Sequence, residues 1–283
     1  MIEGSRPVQP GGSITLPPEP DFTRSLIRTC VWALVIGLVV WGIVAINLRP
    51  AALVSGSDNM LRMVIGSSGA TGRWLPGFLP PDFTMWTVYL EQMVITMHMA
   101  IWGTLLSLIC AIPFGLASAV NIAPWWIYQP ARRLMDASRA INDLVFALIF
   151  VAAVGLGPMA GMLALWISTT GALAKLFSEA VEAIDQRPVD GITVTGAGKL
   201  DEILYGVIPQ VMPLWISYTL YRFESNVRSA TVVGLVGAGG IGMVFSEAMR
   251  SYDYPSAGAI LLIIIATVVA LDVLSGYLRR SYL

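Results

Sequence analysis

Residues 179–213, EAVEAIDQRPVDGITVTGAGKLDEILYGVIPQVMP, form the longest charge-rich passage in an otherwise very apolar chain. This passage leads into YRFESNVRSATVVG (221–234), an apolar segment that carries arginine and glutamate, and then into the glycine-rich GLVGAGGIG (234–242). The order of these segments predicts a polar arm, a membrane helix with charges in it, and a bend.

The composition places the chain in a lipid bilayer. Of its 283 residues, 56% are hydrophobic and only 12% are charged, whereas soluble domains carry about 25% charged residues. The net charge of −1 gives no reason to expect a nucleic-acid partner. The single histidine, His98, excludes a metal site built from several histidines, and we expect it to be packed and hydrogen-bonded.

Long uncharged runs predict an all-α integral membrane protein with about six transmembrane helices. The predicted spans are 29–48, 91–119, 138–156, 159–179, 209–234 and 256–278. Asp143 falls inside the third span and is expected to face protein rather than lipid. Residues 235–245 are apolar but too short to cross ~30 Å, so we interpret them as re-entrant.

The chain divides into three parts on this reading. Residues 1–23 are rich in proline and glycine and are predicted to be a disordered cytosolic tail. Residues 24–84 hold the first transmembrane helix and an extracytoplasmic loop. Residues 85–283 form the main transmembrane domain, and a segment between its spans, 180–208, lies outside the bilayer.

The distribution of arginine and lysine predicts the orientation of the chain. With both termini in the cytoplasm, eleven basic residues lie inside and four outside, as the positive-inside rule requires. The inside set is Arg6, Arg24, Arg28, Arg132, Arg133, Arg139, Lys175, Arg187, Lys199, Arg279 and Arg280. Segment 180–208 is therefore predicted to be cytosolic.

This cytosolic arm is too small to be a domain and too apolar to be a solvated linker. Two short helices around a glycine turn at 196–198 would present one apolar face, suited to a groove on a partner. Its apolar positions are Val189, Ile192, Val194, Leu200, Ile203 and Leu204.

The spacing in this arm resembles a pattern of ABC-importer permeases: Glu-Ala-Ala, three residues, Gly, nine residues, then Ile-x-Leu-Pro. Asp190, Gly191 and Ile192 take the first place, Gly196 is the glycine, and Pro209 ends the pattern. The departures are Asp for Glu, Gly-Ile for Ala-Ala, and Gly206 for Ile. The amino-acid sequence around the arm, especially over 179–245, is most similar to that of the permeases of phosphonate importers, the PhnE family.

The resemblance implies a type I ABC importer fold in which the arm is a coupling helix, docked on a separate ATPase subunit. It implies a bacterial inner-membrane permease that works as a homodimer with two ATPase subunits and an extracytoplasmic substrate-binding protein. Phosphonate is the implied substrate, with phosphate or phosphite as alternatives. ATP and magnesium would be bound by the ATPase partner, leaving this chain without a cofactor.

The fifth span carries the candidate residues of a substrate path. Arg222 lies ~20 Å along the helix from Pro209, near the middle of the bilayer. A charge at that depth costs at least ~2.5 kcal/mol and must face protein or water. The candidates are Tyr218, Tyr221, Arg222, Glu224, Asn226 and Arg228.

Two interpretations of these charges stay open. Arg222 and Arg228 would offer positive potential to an oxyanion at the dimer interface. Alternatively, Glu224 and Arg228 neutralise each other at i, i+4, and Arg222 pairs with Asp143 or Glu91. The glycines that follow are interpreted as part of an outer gate: Gly237, Gly239, Gly240 and Gly242.

Two motifs that resemble nucleotide sites lack the context those sites need. Gly198-Lys199 is followed by leucine and lacks the first glycine of a phosphate-binding loop. Residues 237–242 fit G-x-G-x-x-G, but no βαβ unit surrounds them. Three rival functions remain: an ion-coupled secondary transporter, a lipid-modifying membrane enzyme, and an ABC permease for another solute.

Overall fold

The computed structural model describes residues 22–45, 50–68 and 74–282. Their fold is almost wholly helical, with the one antiparallel pairing in this part of the chain made by β1 (Ser67–Ser68) and β2 (Trp74–Leu75). The helices are α1 (Phe22–Ala45), α2 (Pro50–Ile65), α3 (Trp86–Ala117), α4 (Trp125–Ala140), α5 (Asp143–Val154), α6 (Pro158–Glu182), α7 (Gln186–Val194), α8 (Lys199–Asp201), α9 (Ile208–Val233), α10 (Gly240–Arg250) and α11 (Tyr254–Tyr282). The segments Glu202–Val207 and Gly234–Ala238 are π-helical.

The chain forms two compact units. The first, residues 1–59, contains α1 and the first part of α2, and the second, residues 60–283, contains everything that follows. The predicted disordered tail, 1–23, lies outside the described residues except for its last two, which begin α1.

Among the described residues, five helices are long and apolar enough to cross a bilayer, or six if the bent pair α4 and α5 counts as one span. Five predicted spans therefore correspond to single helices. The third is wrong as a continuous helix 138–156, because the chain turns by 88° between α4 and α5. Asn142 causes the break: its extended backbone ends the helical path and its side chain accepts from the Leu144 N–H at 2.9 Å, capping α5.

Helix α6 is the centre of the second unit, and small residues let its neighbours approach it. A Cβ on Gly103 of α3 would lie 3.0 Å from the Leu165 side chain, and a Cβ on Gly115 would lie 2.8 Å from Phe177. Phe177 in turn stacks on Trp215 of α9 with ring centroids 4.5 Å apart. Close approach through small residues is how helices pack when lipid removes the hydrophobic drive between them.

Two smaller expectations differ from the structure. His98 is exposed on α3 rather than packed, because its position on the helix turns it away from the face that meets α6. Pro209 lies in the first turn of α9, as expected for the start of the fifth span, but the helical path begins earlier, at Lys199, and leads into α9 through the π-helical segment Glu202–Val207. The π-helical segment before Pro209 accommodates a residue that has no N–H to donate.

Candidate functional site: a polar arm, a charged helix and a glycine bend

The polar arm contains a short helix and a glycine turn, as the sequence predicts. Asp185 caps α7 by accepting from the Arg187 N–H at 3.0 Å. Gly196 ends the turn after α7 with φ of +78°, a left-handed conformation that glycine adopts without a side-chain penalty. The second short helix, α8, is the first turn of the long rod that leads into α9.

Three contacts hold α7 against that rod. A Cβ on Gly206 would lie 3.1 Å from Val189 and 3.3 Å from Ile192, so the missing side chain at Gly206 lets α7 pack closely. Glu202 accepts from the Lys199 ammonium at 2.7 Å and from the Thr193 hydroxyl at 3.0 Å. These two hydrogen bonds lower the pKa of the Glu202 carboxyl below its ordinary value.

A third link joins the arm to α9 through one glutamine. The Gln210 amide accepts from the Asp185 N–H at 3.2 Å and donates back to the Asp185 carbonyl at 3.2 Å. The same amide donates to the Gly206 carbonyl at 2.6 Å. The arm is therefore attached to the membrane helix at a defined orientation.

The apolar residues of the arm divide into two sets, which the sequence did not distinguish. Val189 and Ile192 face Gly206 inside the arm. Val194 and Leu200 are 88% and 75% exposed, and Tyr205 beside them is 71% exposed. Asp190, Gly191 and Pro209 are exposed as well. This second set leaves an apolar surface open for a partner.

Two predicted path residues on α9 form an ion pair. The Arg228 guanidinium lies 3.0 Å from Glu224, one turn earlier, and 3.2 Å from Asp272 of α11. Their relation matches the structural alternative, in which the charges neutralise each other. The arrangement ties α9 to α11 and leaves Arg228 with two acidic partners.

Arg222 has a different environment. It lines a polar cavity of about 460 Å³ between the α4–α5 break, α6 and α9. Its Nε is buried and has no hydrogen-bond partner within the described part of the chain. Asp143, one of the two expected acids, lines the same cavity and attracts Arg222 electrostatically. It forms no ion pair with Arg222 within 4 Å in the described part of the chain, and it accepts from the Ser168 hydroxyl instead.

Asn226 joins three helices from the edge of the same cavity. Its amide donates to the Thr104 hydroxyl of α3 at 2.8 Å and accepts from the Thr169 hydroxyl of α6 at 2.8 Å. The residue is 2% exposed, so its side chain is used for packing helices together. Of the two predicted tyrosines, Tyr218 packs against the cluster around Trp215, and Tyr221 is 49% exposed.

The four predicted gate glycines form a tight bend between α9 and α10. Gly237, Gly239 and Gly240 have φ of +94°, +80° and +70°. A Cβ on Gly242 would overlap the Thr231 carbonyl, so α9 and α10 meet backbone to backbone. The Ile241 N–H donates to the Thr96 hydroxyl at 2.8 Å, and the Gly157 N–H donates to the Gly237 carbonyl at 3.1 Å. The bend is therefore fixed to α3 and to the α5–α6 link.

Residues 111–282 match the family described as binding-protein-dependent transport system inner membrane component. The chain therefore belongs to this family, the membrane permeases of ATP-binding-cassette importers. It is 41% identical over 201 residues to a putative phosphite transport system permease protein, HtxC, of Stutzerimonas stutzeri, covering 71% of each chain. It is 64% identical over 122 residues to the putative cryptic phosphonate transport system permease protein PhnE2 of Escherichia coli K12, covering 43% of this chain and all of that one.

Further similarities cover 71% to 84% of the chain. The phosphate-import permease protein PhnE of Mycolicibacterium smegmatis is 36% identical over 240 residues, which are 84% of this chain and 43% of that one. The fold is that of a type I ABC importer: the MetNI methionine transporter in an inward-facing form matches with a TM-score of 0.63 at 15% identity, over 71% of this chain and 99% of that one. An amino acid ABC transporter matches with a TM-score of 0.57 at 16% identity, over 72% of this chain and all of that one.

Proposed function

We propose that this multi-pass permease imports phosphonate, or a related phosphorus oxyanion such as phosphite or phosphate, by alternating access. Arg222 carries the proposal: it is a half-buried cation at the expected mid-membrane depth, and its Nε is buried with no partner in the described structure. Relatives named for phosphite, phosphonate and phosphate transport support the same substrate class. The path would run along α9, past Tyr218, Tyr221, Arg222, Glu224, Asn226 and Arg228.

We further propose the assembly in which this chain works. Two copies would form a homodimer in the bacterial inner membrane, with both termini in the cytoplasm. Each copy would dock one ATPase subunit through Asp190, Gly191, Ile192, Gly196 and Pro209 and the exposed apolar surface beside them. The ATPase would bind ATP and magnesium, so this chain would carry no cofactor and hydrolyse nothing. An extracytoplasmic binding protein would deliver substrate to the gate glycines.

The proposal is tested by reconstituting the permease with its ATPase subunits and binding protein in lipid vesicles. We expect ATP-dependent uptake and substrate-stimulated ATP hydrolysis with methylphosphonate, phosphite or phosphate, and no response to methionine or betaine. Uptake driven by an ion gradient without any ATPase would contradict the proposal, as would stimulation of ATP hydrolysis by methionine or betaine alone.

Replacing Arg222 with methionine is expected to lower uptake by about tenfold or more, since a hydrogen bond to a charged group contributes about 1.5–3 kcal/mol. Methionine keeps an unbranched side chain as far as the position of Nε and removes only the rest of the guanidinium, so assembly with the ATPase should be unchanged. Initial uptake rates in vesicles give the measurement. Arg133→Met, which removes an exposed arginine from α4, serves as the control and should transport normally. Uptake by Arg222→Met equal to that of the control would remove Arg222 from the path.

A further inference from the structure

The cavity beside Arg222 is lined by cations from three helices and not from α9 alone. It is lined by Arg139 at the end of α4, Lys175 of α6 and Arg222 of α9, together with the acids Asp143 and Glu179. Three cations and two acids leave one net positive charge. At about 460 Å³, the cavity exceeds the ~30 Å³ share of one water many times over, and so has room for a hydrated anion.

This cavity continues into a second one along α9. The second cavity, of about 380 Å³, shares Asn142, Asp143, Ser225 and Ser229 with the first and reaches Arg228. Because Arg222, Ser225 and Ser229 recur at i, i+3 and i+7, they lie on one face of α9. The two cavities thus form one groove, in which the Ser225 and Ser229 hydroxyls lie between the cationic cluster beside Arg222 and the ion pair of Arg228.

The α4–α5 break supplies the opposite wall of this groove. Helix α5 begins at Asp143, and the N–H groups of its first turn carry partial positive charge where the groove passes. The break therefore brings Arg139 and a helix N-terminus to face Arg222 across the groove.

We propose that this groove is the intramembrane anion site, held by Arg139, Lys175 and Arg222, and that it takes a tetrahedral oxyanion that still carries a proton. The proposal rests on the proposed function and deepens it. Lys175 forms an ion pair with Glu179 at 3.6 Å, which is too long for a hydrogen bond, so its ammonium has N–H donors available for a ligand. Arg222 supplies a buried Nε–H that has no other partner in the described structure.

The acids in the groove set the protonation state of the ligand. One oxygen of Asp143 accepts from the Ser168 hydroxyl, and the other is left as an acceptor for a P–OH group. Hydrogen phosphite, phosphonate monoanions and phosphate offer such a donor near neutral pH. Sulfate is fully deprotonated, so a carboxylate facing it is left unpaired and repelled. The groove should discriminate phosphorus oxyanions from sulfate on this ground.

The test measures whether a cysteine placed in the groove reacts faster with an anionic reagent than with a cationic one. Cys30 and Cys110 are first replaced by serine, and Ser229→Cys is introduced in the complete complex in nanodiscs, which expose both membrane faces. Sulfonatoethyl and trimethylammonioethyl methanethiosulfonate are compared as anionic and cationic probes. The control site is Ser246→Cys, in a separate cavity lined by Glu247 and Arg250.

We expect the anionic-to-cationic rate ratio to be about tenfold higher at Ser229→Cys than at Ser246→Cys, because a cationic cleft raises the local anion concentration. Adding Arg139→Gln and Lys175→Gln should abolish that preference, and Arg133→Gln should leave it intact. Millimolar methylphosphonate or phosphite should slow the anionic reaction by about threefold through occupancy, and sulfate should slow it much less.

Equal rate ratios at the two sites, or no slowing by either phosphorus oxyanion, would overturn the anion site. Equal slowing by sulfate would overturn its selection of a protonated ligand. The outcome is separable from that of the proposed function, which the uptake assay on the unmodified complex measures. If the complex takes up phosphonate but Ser229→Cys shows no preference for the anionic reagent, only the anion site in the groove is overturned. If Ser229→Cys shows that preference but the complex takes up no phosphorus oxyanion, only the proposed function is overturned.

Discussion

Replacing Gly242 with valine is expected to unfold the α9–α10 bend and abolish transport. A Cβ at this position would overlap the Thr231 carbonyl and lie 3.0 Å from the Gly234 Cα. Both neighbours are backbone and cannot rotate aside, so the cost should reach or exceed the ~1–3 kcal/mol of ordinary overpacking. We expect the unfolding midpoint of the purified permease to fall by about 5 °C or more, measured by tryptophan fluorescence in detergent.

Gly276→Val in α11 is the matched control, since a Cβ there meets nothing within 4 Å. Its unfolding midpoint should stay close to that of the unmodified protein. An unchanged midpoint for Gly242→Val would mean that the two helices separate easily at the bend. The proposed gate would then be a loose contact, and the close approach of α9 and α10 would not be needed to hold it.

Replacing Gly196 with glutamate is expected to uncouple ATP hydrolysis from transport while leaving the permease folded in the membrane. The turn holds φ at +78°, which costs a residue with a side chain about 1 kcal/mol or more. Space around it is open, since a Cβ there meets nothing within 4 Å. The arm would therefore shift rather than unfold, and ATPase stimulation and uptake in vesicles should both fall by more than about tenfold if the proposed docking depends on its shape.

Two further variants separate the effect of the altered backbone conformation on coupling from the effect of the added charge. Gly196→Ala changes the conformational preference without adding charge, and we expect it to reduce coupling partly. Thr195→Glu places the same charge one residue earlier, at an exposed position with φ of −75°, and should retain most activity. Full ATPase stimulation and full uptake in Gly196→Glu would refute the coupling role of the arm.

Most membrane spans were predictable because, in a protein this apolar, an uncharged run of about 20 residues is expected to form a transmembrane helix. The arm was predictable as well, since Gly196 and Pro209 carry a specific spacing. The α4–α5 break differs from the predicted third span, which runs through Asn142 from 138 to 156, although asparagine before an apolar run is also a helix cap. That signal was available and would have corrected the third span.

The partners of the charged residues could not be read from the sequence. The ion pair between Glu224 and Arg228 follows from their spacing, but Asp272 approaches Arg228 from 44 positions away. Asn226 was predicted as a path residue from its depth alone, whereas its amide links hydroxyls on two other helices. Arg139 and Lys175 were assigned by the positive-inside rule to the cytosolic side, and only the fold brings them to the cavity beside Arg222.

The helical path that runs without a break from Lys199 to the end of α9 at Val233 makes the angular phase of α9 depend on residue count. Each residue advances an α-helix by about 100°, and Gln210 attaches the arm to α9, so deleting one residue between Gln210 and Arg222 would swing Arg222, Ser225 and Ser229 by about that angle relative to the arm. These three side chains would no longer point toward α6, even though all three were still present. The number of residues between Gln210 and Arg222 is therefore as much a part of the groove as the residues that line it.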